Sequence, residues 1–153
     1  MATFKALTRG TQLVLVAGPL LLLSLFFTWQ NVEVSYGQAG QASMALDGWD
    51  AWGLLLALLA LATVILVALR GLSDVEFSED VAWAKVCLGL GLAVLAVALV
   101  KNLTDSGSSW ASYGFVVLAG AVALGTVLDW SAERRGAQPT LAPRKRRGLR
   151  SAA

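Results

Sequence analysis

Four blocks of apolar residues, each about 18 residues long, divide the chain, and the polar residues collect between them. The blocks cover residues 12–29, 52–69, 83–100 and 113–130. Inside them the apolar positions do not recur at a period of 3.6 or 2, as they do in elements with one wet face. The run 54–69 is interrupted only by Thr63, whereas a water-facing helix keeps a polar side. At about 1.5 Å per residue each block is roughly 27 Å long, close to the ~30 Å of a bilayer's hydrocarbon core. Backbone groups in lipid must pair within their own segment, so the blocks are expected to be helices. A membrane barrel needs alternating strands of about 10 residues, and these blocks do not alternate. The expectation is an all-α membrane protein whose residues 1–131 form a domain of four transmembrane helices, arranged as two antiparallel hairpins.

The first block invites comparison with a secretory leader, because Lys5 and Arg9 precede an apolar stretch. Thr28, Trp29, Gln30 and Asn31 follow it, with no small-x-small cleavage site at the right distance, so an uncleaved span is expected. Pro19 in its first half should kink it. The segment after this span alternates: Val32, Val34 and Tyr36 with Glu33 and Ser35, then Ala42, Met44 and Leu46 with Ser43 and Ala45. With Gly37 and Gly40 between, it suits a short β-hairpin. Ser78, followed by Glu79 and Asp80, suits the start of the third helix.

Charge sets the orientation. Lys5 and Arg9 precede the first span, and Arg70 and Lys85 flank the second loop. Arg134, Arg135, Arg144, Lys145, Arg146, Arg147 and Arg150 follow the last span. Of the twelve basic residues only Lys101 falls on the other side. Loops rich in Lys and Arg stay cytoplasmic, so both termini are expected inside the cell membrane. All six tryptophans, Trp29, Trp49, Trp52, Trp83, Trp110 and Trp130, stand at span ends, where indole anchors in the head-group zone. A second reading makes Trp49, Trp52 and Trp110, which share the outer side, a cage for a ligand. Residues 132–153 read as a disordered basic tail, in which Arg144, Lys145, Arg146, Arg147 and Arg150 would meet anionic lipid head groups.

Composition narrows the chemistry. The chain is 57% hydrophobic and 14% charged, with no histidine and a single cysteine, Cys87. That removes the commonest general base and metal ligand. No phosphate-binding glycine loop or nucleophile turn is present, and the middles of the blocks hold no charge. No catalytic, cofactor-binding or metal-binding residue is therefore expected. No aromatic residue accompanies the basic cluster to stack on bases, so no nucleic acid partner is expected. Asn102-Leu103-Thr104 fits a glycosylation acceptor by pattern alone. Small residues at helical spacing, Gly89 with Ala93, Ala119 with Ala123 and Ala121 with Gly125, suggest that the third and fourth helices pack most tightly.

Two helix entries resemble each other at an offset of 61 residues: residues 48–53 (GWDAWG) and 109–114 (SWASYG). Either the halves are repeats, or two hairpins need the same interface residues. The closing Trp29, the Val/Ser-rich outer loop, the entry at 48–53 and the Tyr113-Gly114 start resemble a group of small, uncharacterised four-span membrane proteins of high-GC actinobacteria. The resemblance covers roughly residues 11–135 and implies a cell-membrane location. Where those proteins often place a proline before the first tryptophan, this chain has Thr28. The expected role is that of a non-enzymatic protein of the bacterial cell envelope, acting through contacts with lipids, with further copies of itself or with another membrane protein. The alternative is a transporter or channel component that builds its pathway only as an oligomer.

Overall fold

The computed structural model describes residues 4, 7–35, 41–72, 82–104 and 110–137; of 29–35, 41–47 and 137 it describes the backbone alone. The first helix, α1, spans Arg9–Ser24 with Pro19 inside it. Thr8 opens it as N-cap, its hydroxyl accepting from the Thr11 N–H at 3.1 Å, which satisfies one of the orphan donors of the first turn. At the other end the N–H groups of Leu25, Phe26 and Phe27 donate to carbonyls three residues back, at 3.2–3.3 Å. Such tightened turns close a helix, and Thr28 then enters an extended strand. The expected span 12–29 is corrected accordingly: α1 starts three residues earlier, stops at Ser24, and leaves Trp29 in a strand. Its 16 residues reach roughly 24 Å.

Strand β1 (Thr28–Ser35) pairs antiparallel with β2 (Gln41–Asp47), with Val32 opposite Met44 and Glu33 opposite Ser43, and an irregularity between Thr28 and Gln30. β1 lies against the fourth helix. The Gly48 N–H donates to the Leu25 carbonyl at 3.0 Å, returning the chain to the point where α1 ended.

The remaining helices are α2 (Ala51–Leu72), α3 (Trp83–Thr104) and α4 (Trp110–Ala137). These three are long and apolar enough to cross a membrane. Each runs past its apolar block, because lipid-compatible composition ends before helix-forming residues do. α3 continues one turn to carry Lys101, expected in a loop. α4 continues to Ala137, so 132–137, expected in the disordered tail, are helical. There Arg135 Nε donates to the Ser131 carbonyl at 3.2 Å, and the Arg134 guanidinium lies 4.0 Å from the Trp130 ring centroid. Arg70, Lys101, Arg134 and Arg135 all stand in last turns, where the helix dipole favours positive charge.

α1 packs against α2 and α4, and α3 packs against the same two. Leu21, Leu25, Leu56, Ala57, Ala60, Val94, Ala98, Phe115 and Ala119 form the larger buried cluster, and Val14, Ala17, Val67, Cys87 and Val122 a second one. α1 and α4 approach closely: a Cβ at Gly10 would overlap the Asp129 carboxylate and the Gly125 carbonyl. Tight packing is thus not confined to α3 and α4. Of the small residues singled out from spacing, Ala119, Ala123 and Gly125 are buried, Ala93 and Ala121 are half-buried, and Gly89 is exposed with open space around it. Within the chain the place expected for Gly89 belongs to Gly91, which faces Thr126. Spacing names a repeat along a helix but not which face of it meets a neighbour.

Candidate functional site

Apolar side chains, with Thr63 bonded to the Leu59 carbonyl of its own helix, fill the middle of the described structure, and its two ion pairs lie at opposite ends. At one end Asp50 stands immediately before α2. Its Oδ1 accepts from the Gly53 N–H at 2.7 Å, an N-cap bond at a helix terminus that favours negative charge. Its Oδ2 accepts from Lys101 Nζ at 2.6 Å. Lys101 is only 1% exposed, so α3 delivers a buried ammonium to the start of α2. Burial raises the Asp50 pKa, but the Lys101 hydrogen bond, the Gly53 N–H and the ammonium's charge outweigh it and hold the carboxyl below its ordinary value. Gly53 is required here because any Cβ would overlap the Gly48 carbonyl. Phe26 and Trp49 meet edge-on nearby, with centroids 5.1 Å apart.

At the other end Asp129, near the end of α4, reaches the beginning of α1. Its Oδ1 accepts from the Thr11 N–H at 3.1 Å and from the Thr8 hydroxyl, and its Oδ2 from the Thr11 hydroxyl at 2.9 Å. One turn further along α4, Glu133 accepts from Arg70 of α2 at 2.9 Å. These groups border a cavity of about 430 Å³ walled by all four helices: Leu7, Thr8 and Thr11; Val67, Arg70 and Gly71; Ala84 and Cys87; Thr126, Asp129, Ala132 and Glu133. Its size falls in the range of small-molecule sites, and its lining has their character, apolar with a few converging polar groups. Cys87 is buried within this wall.

Of the residues expected to act as anchors, Trp49, Trp52 and Trp110 are exposed, Trp110 to 82%, and Trp83 and Trp130 are half-buried. The side chain of Trp29 and the cluster Arg144, Lys145, Arg146, Arg147 and Arg150 lie outside what is described, as does the expected helix start at Ser78. Asn102, the candidate glycosylation acceptor, is half-buried within α3. Among the described residues, no three His, Cys, Asp or Glu side chains gather where they could hold a metal ion. Reading the chain missed the cavity and the buried Lys101. The available signal was Asp50, Lys101 and Asp129 standing within a turn or so of the ends of apolar blocks, where an unpaired charge is costly. No family model matches this chain, and no curated protein or solved structure matches it either.

Proposed function

We propose that this chain is a multi-pass, non-enzymatic protein of a bacterial cell membrane that acts through contacts with lipids and other membrane proteins. The observation that carries the reading is the distribution of polarity. The outward surfaces of the helices are apolar, with Leu54, Leu58, Leu61, Ile65, Leu92, Leu99, Val117 and Leu124 all exposed. The polar groups described above are paired at the ends. Such a surface finds its natural solvent in hydrocarbon. In this reading α1 completes four antiparallel spans, two helical hairpins, with the β1–β2 pair on the outer face. Both termini lie in the cytoplasm, as the Lys and Arg distribution favours.

Topology is tested with cysteines introduced at Ser43, Ser108 and Ser78 in a Cys87→Ala background. An impermeant thiol reagent added to whole cells should label the first two and spare the third. Labelling at Ser78 reverses the orientation. The expected role of the basic tail is tested with a peptide of residues 138–153. It should bind vesicles containing anionic lipid, lose binding as salt rises, and ignore neutral vesicles. The alternative, a transporter or channel component, needs a polar route. Within one chain the cavity is separated from the Asp50 end by Leu21, Leu56, Val94 and Phe115, all fully buried, so that route would have to form between copies. Purification from the native membrane, with identification of what accompanies the protein, separates the two readings. A defined partner or lipid supports the first, and ion flux in reconstituted oligomers supports the second.

A further inference from the structure

The cavity between the helix ends carries more polar chemistry than an apolar bundle requires for its own packing. Asp129 and Glu133 both border it and stand four residues apart on α4, a spacing that puts like charges side by side on one face. Arg70 neutralises one of them through Glu133. Among the described residues the charged groups of the wall are two carboxylates and one guanidinium, and that imbalance favours a guest that brings a positive charge. Arg70 and Glu133 have side chains 30% and 55% exposed, and an ion pair so open to water contributes little to stability. It can be exchanged for two new partners at small cost, provided the guest supplies both an anion for Arg70 and a cation for Glu133. Guanidinium matches phosphate oxygens in a planar, two-point fashion. Asp129 keeps acceptor capacity beyond the three bonds it makes, since each carboxylate oxygen can accept two. The wall itself is half greasy, with Leu7, Val67 and Ala84 beside the charges.

We propose that this cavity binds a zwitterionic phosphoethanolamine group, with its phosphate on Arg70 and its primary ammonium between Glu133 and Asp129. The inference rests on the reading of the chain as a membrane protein, which places the cavity at head-group depth, within reach of a phospholipid carrying that group. A soluble molecule with the same head is the other source of the same chemistry.

The full chain, purified in mild detergent, is offered equal amounts of phosphatidylethanolamine, phosphatidylcholine and phosphatidylglycerol, and the lipid retained is measured by native mass spectrometry. Phosphatidylcholine keeps the phosphate and the positive charge but carries three methyl groups in place of the ammonium N–H donors, which also enlarges its head. Retention of phosphatidylethanolamine about tenfold above the other two is expected, the effect of one hydrogen bond to a charged group. Glu133→Gln should lower the ethanolamine-to-choline ratio, and Glu133→Gln combined with Asp129→Asn should bring it close to one. Arg70→Gln should lower retention of both and leave their ratio unchanged, because the phosphate is common to them. Equal retention of all three lipids overturns the proposal, as does a ratio unaffected by Glu133→Gln. If glycerophosphoethanolamine displaces the lipid at equal concentration, the group is recognised and its source is solution; if it does not, the source is lipid. Alkaline extraction of native membranes is run alongside. A chain released by carbonate defeats the membrane reading itself, whatever its head-group preference.

Discussion

Asp50 and Asp129 occupy opposite ends of the same set of helices, and each gives a carboxylate oxygen to an amide in a first turn. Asp50 serves its own helix, three residues away, and spends its second oxygen on a buried ammonium. Asp129 serves a helix 118 residues distant and is met by hydroxyls instead of a cation. The first end is closed around one strong pair. The second is left roomy, with its ion pair at the rim and its hydroxyls in the wall. A helix terminus needs an acceptor in either case. What differs is whether the acceptor is itself neutralised, and that decides which end retains capacity for a guest.

The largest effect should come from breaking the closed end. Asp50→Ala removes the carboxylate facing a buried ammonium and should cost about 3 kcal/mol in a denaturant titration of the detergent-solubilised protein, the lower end of the usual range because Asp50 is half open to water. The double variant Asp50→Ala/Lys101→Met should be more stable than Asp50→Ala alone; if it is less stable, burial of Lys101 is not the cause. Next comes the seam that brings Asp129 to α1. Gly125→Leu should cost about 2 kcal/mol through overpacking, while Gly89→Leu, which faces open space, should change stability by less than about 0.5 kcal/mol. Equal losses at the two sites would remove the distinction between Gly125 and Gly89.

Smaller still is Asp129→Ala, expected to cost about 1 kcal/mol, because water in the cavity can replace the lost acceptor. A cost above that of Asp50→Ala would invert the comparison between the ends. The smallest effect is the acid response of Asp50. Its folded pKa is depressed, so its contribution is present above the ordinary value of 3.8 and is lost as pH falls below it. Thermal melts taken from pH 6 downward should show this loss in the native chain and not in Asp50→Asn.

The sequence makes the apolar bodies of three helices legible, because blocks of about eighteen residues with at most one or two polar positions, such as Thr63 in α2 and Lys85 in α3, leave the backbone no other way to pair in lipid. It is less informative where polar residues join a helix. Lys101 reads as a loop charge because it follows the last apolar residue, and only the path of α3 brings it under Asp50. The first block reads as helical through Trp29, since nothing in Phe26 and Phe27 announces that tight turns end the helix there. The Asp50 cap is a local affair and recoverable from Asp50 and Gly53 at a spacing of three. The Thr8–Asp129 contact, 121 residues apart, depends on which faces of α1 and α4 meet. Two glycines decide that, and no spacing rule selects them from the fifteen in the chain.

The bond from the Thr11 amide to Asp129 also sets a clock on biogenesis. A ribosome adds roughly 5–20 residues each second, so the 118 residues between the two partners take roughly 6–24 s to synthesise. For the part of that interval after Ser24 is added, the first helix is complete in sequence while the carboxylate that will complete its amino end does not yet exist. Thr8 alone caps the turn, and the Gly10 surface destined for α4 is uncovered. The first of these helices is thus among the last to be finished, and a chain stalled before residue 129 would carry α1 without the carboxylate that completes its amino end.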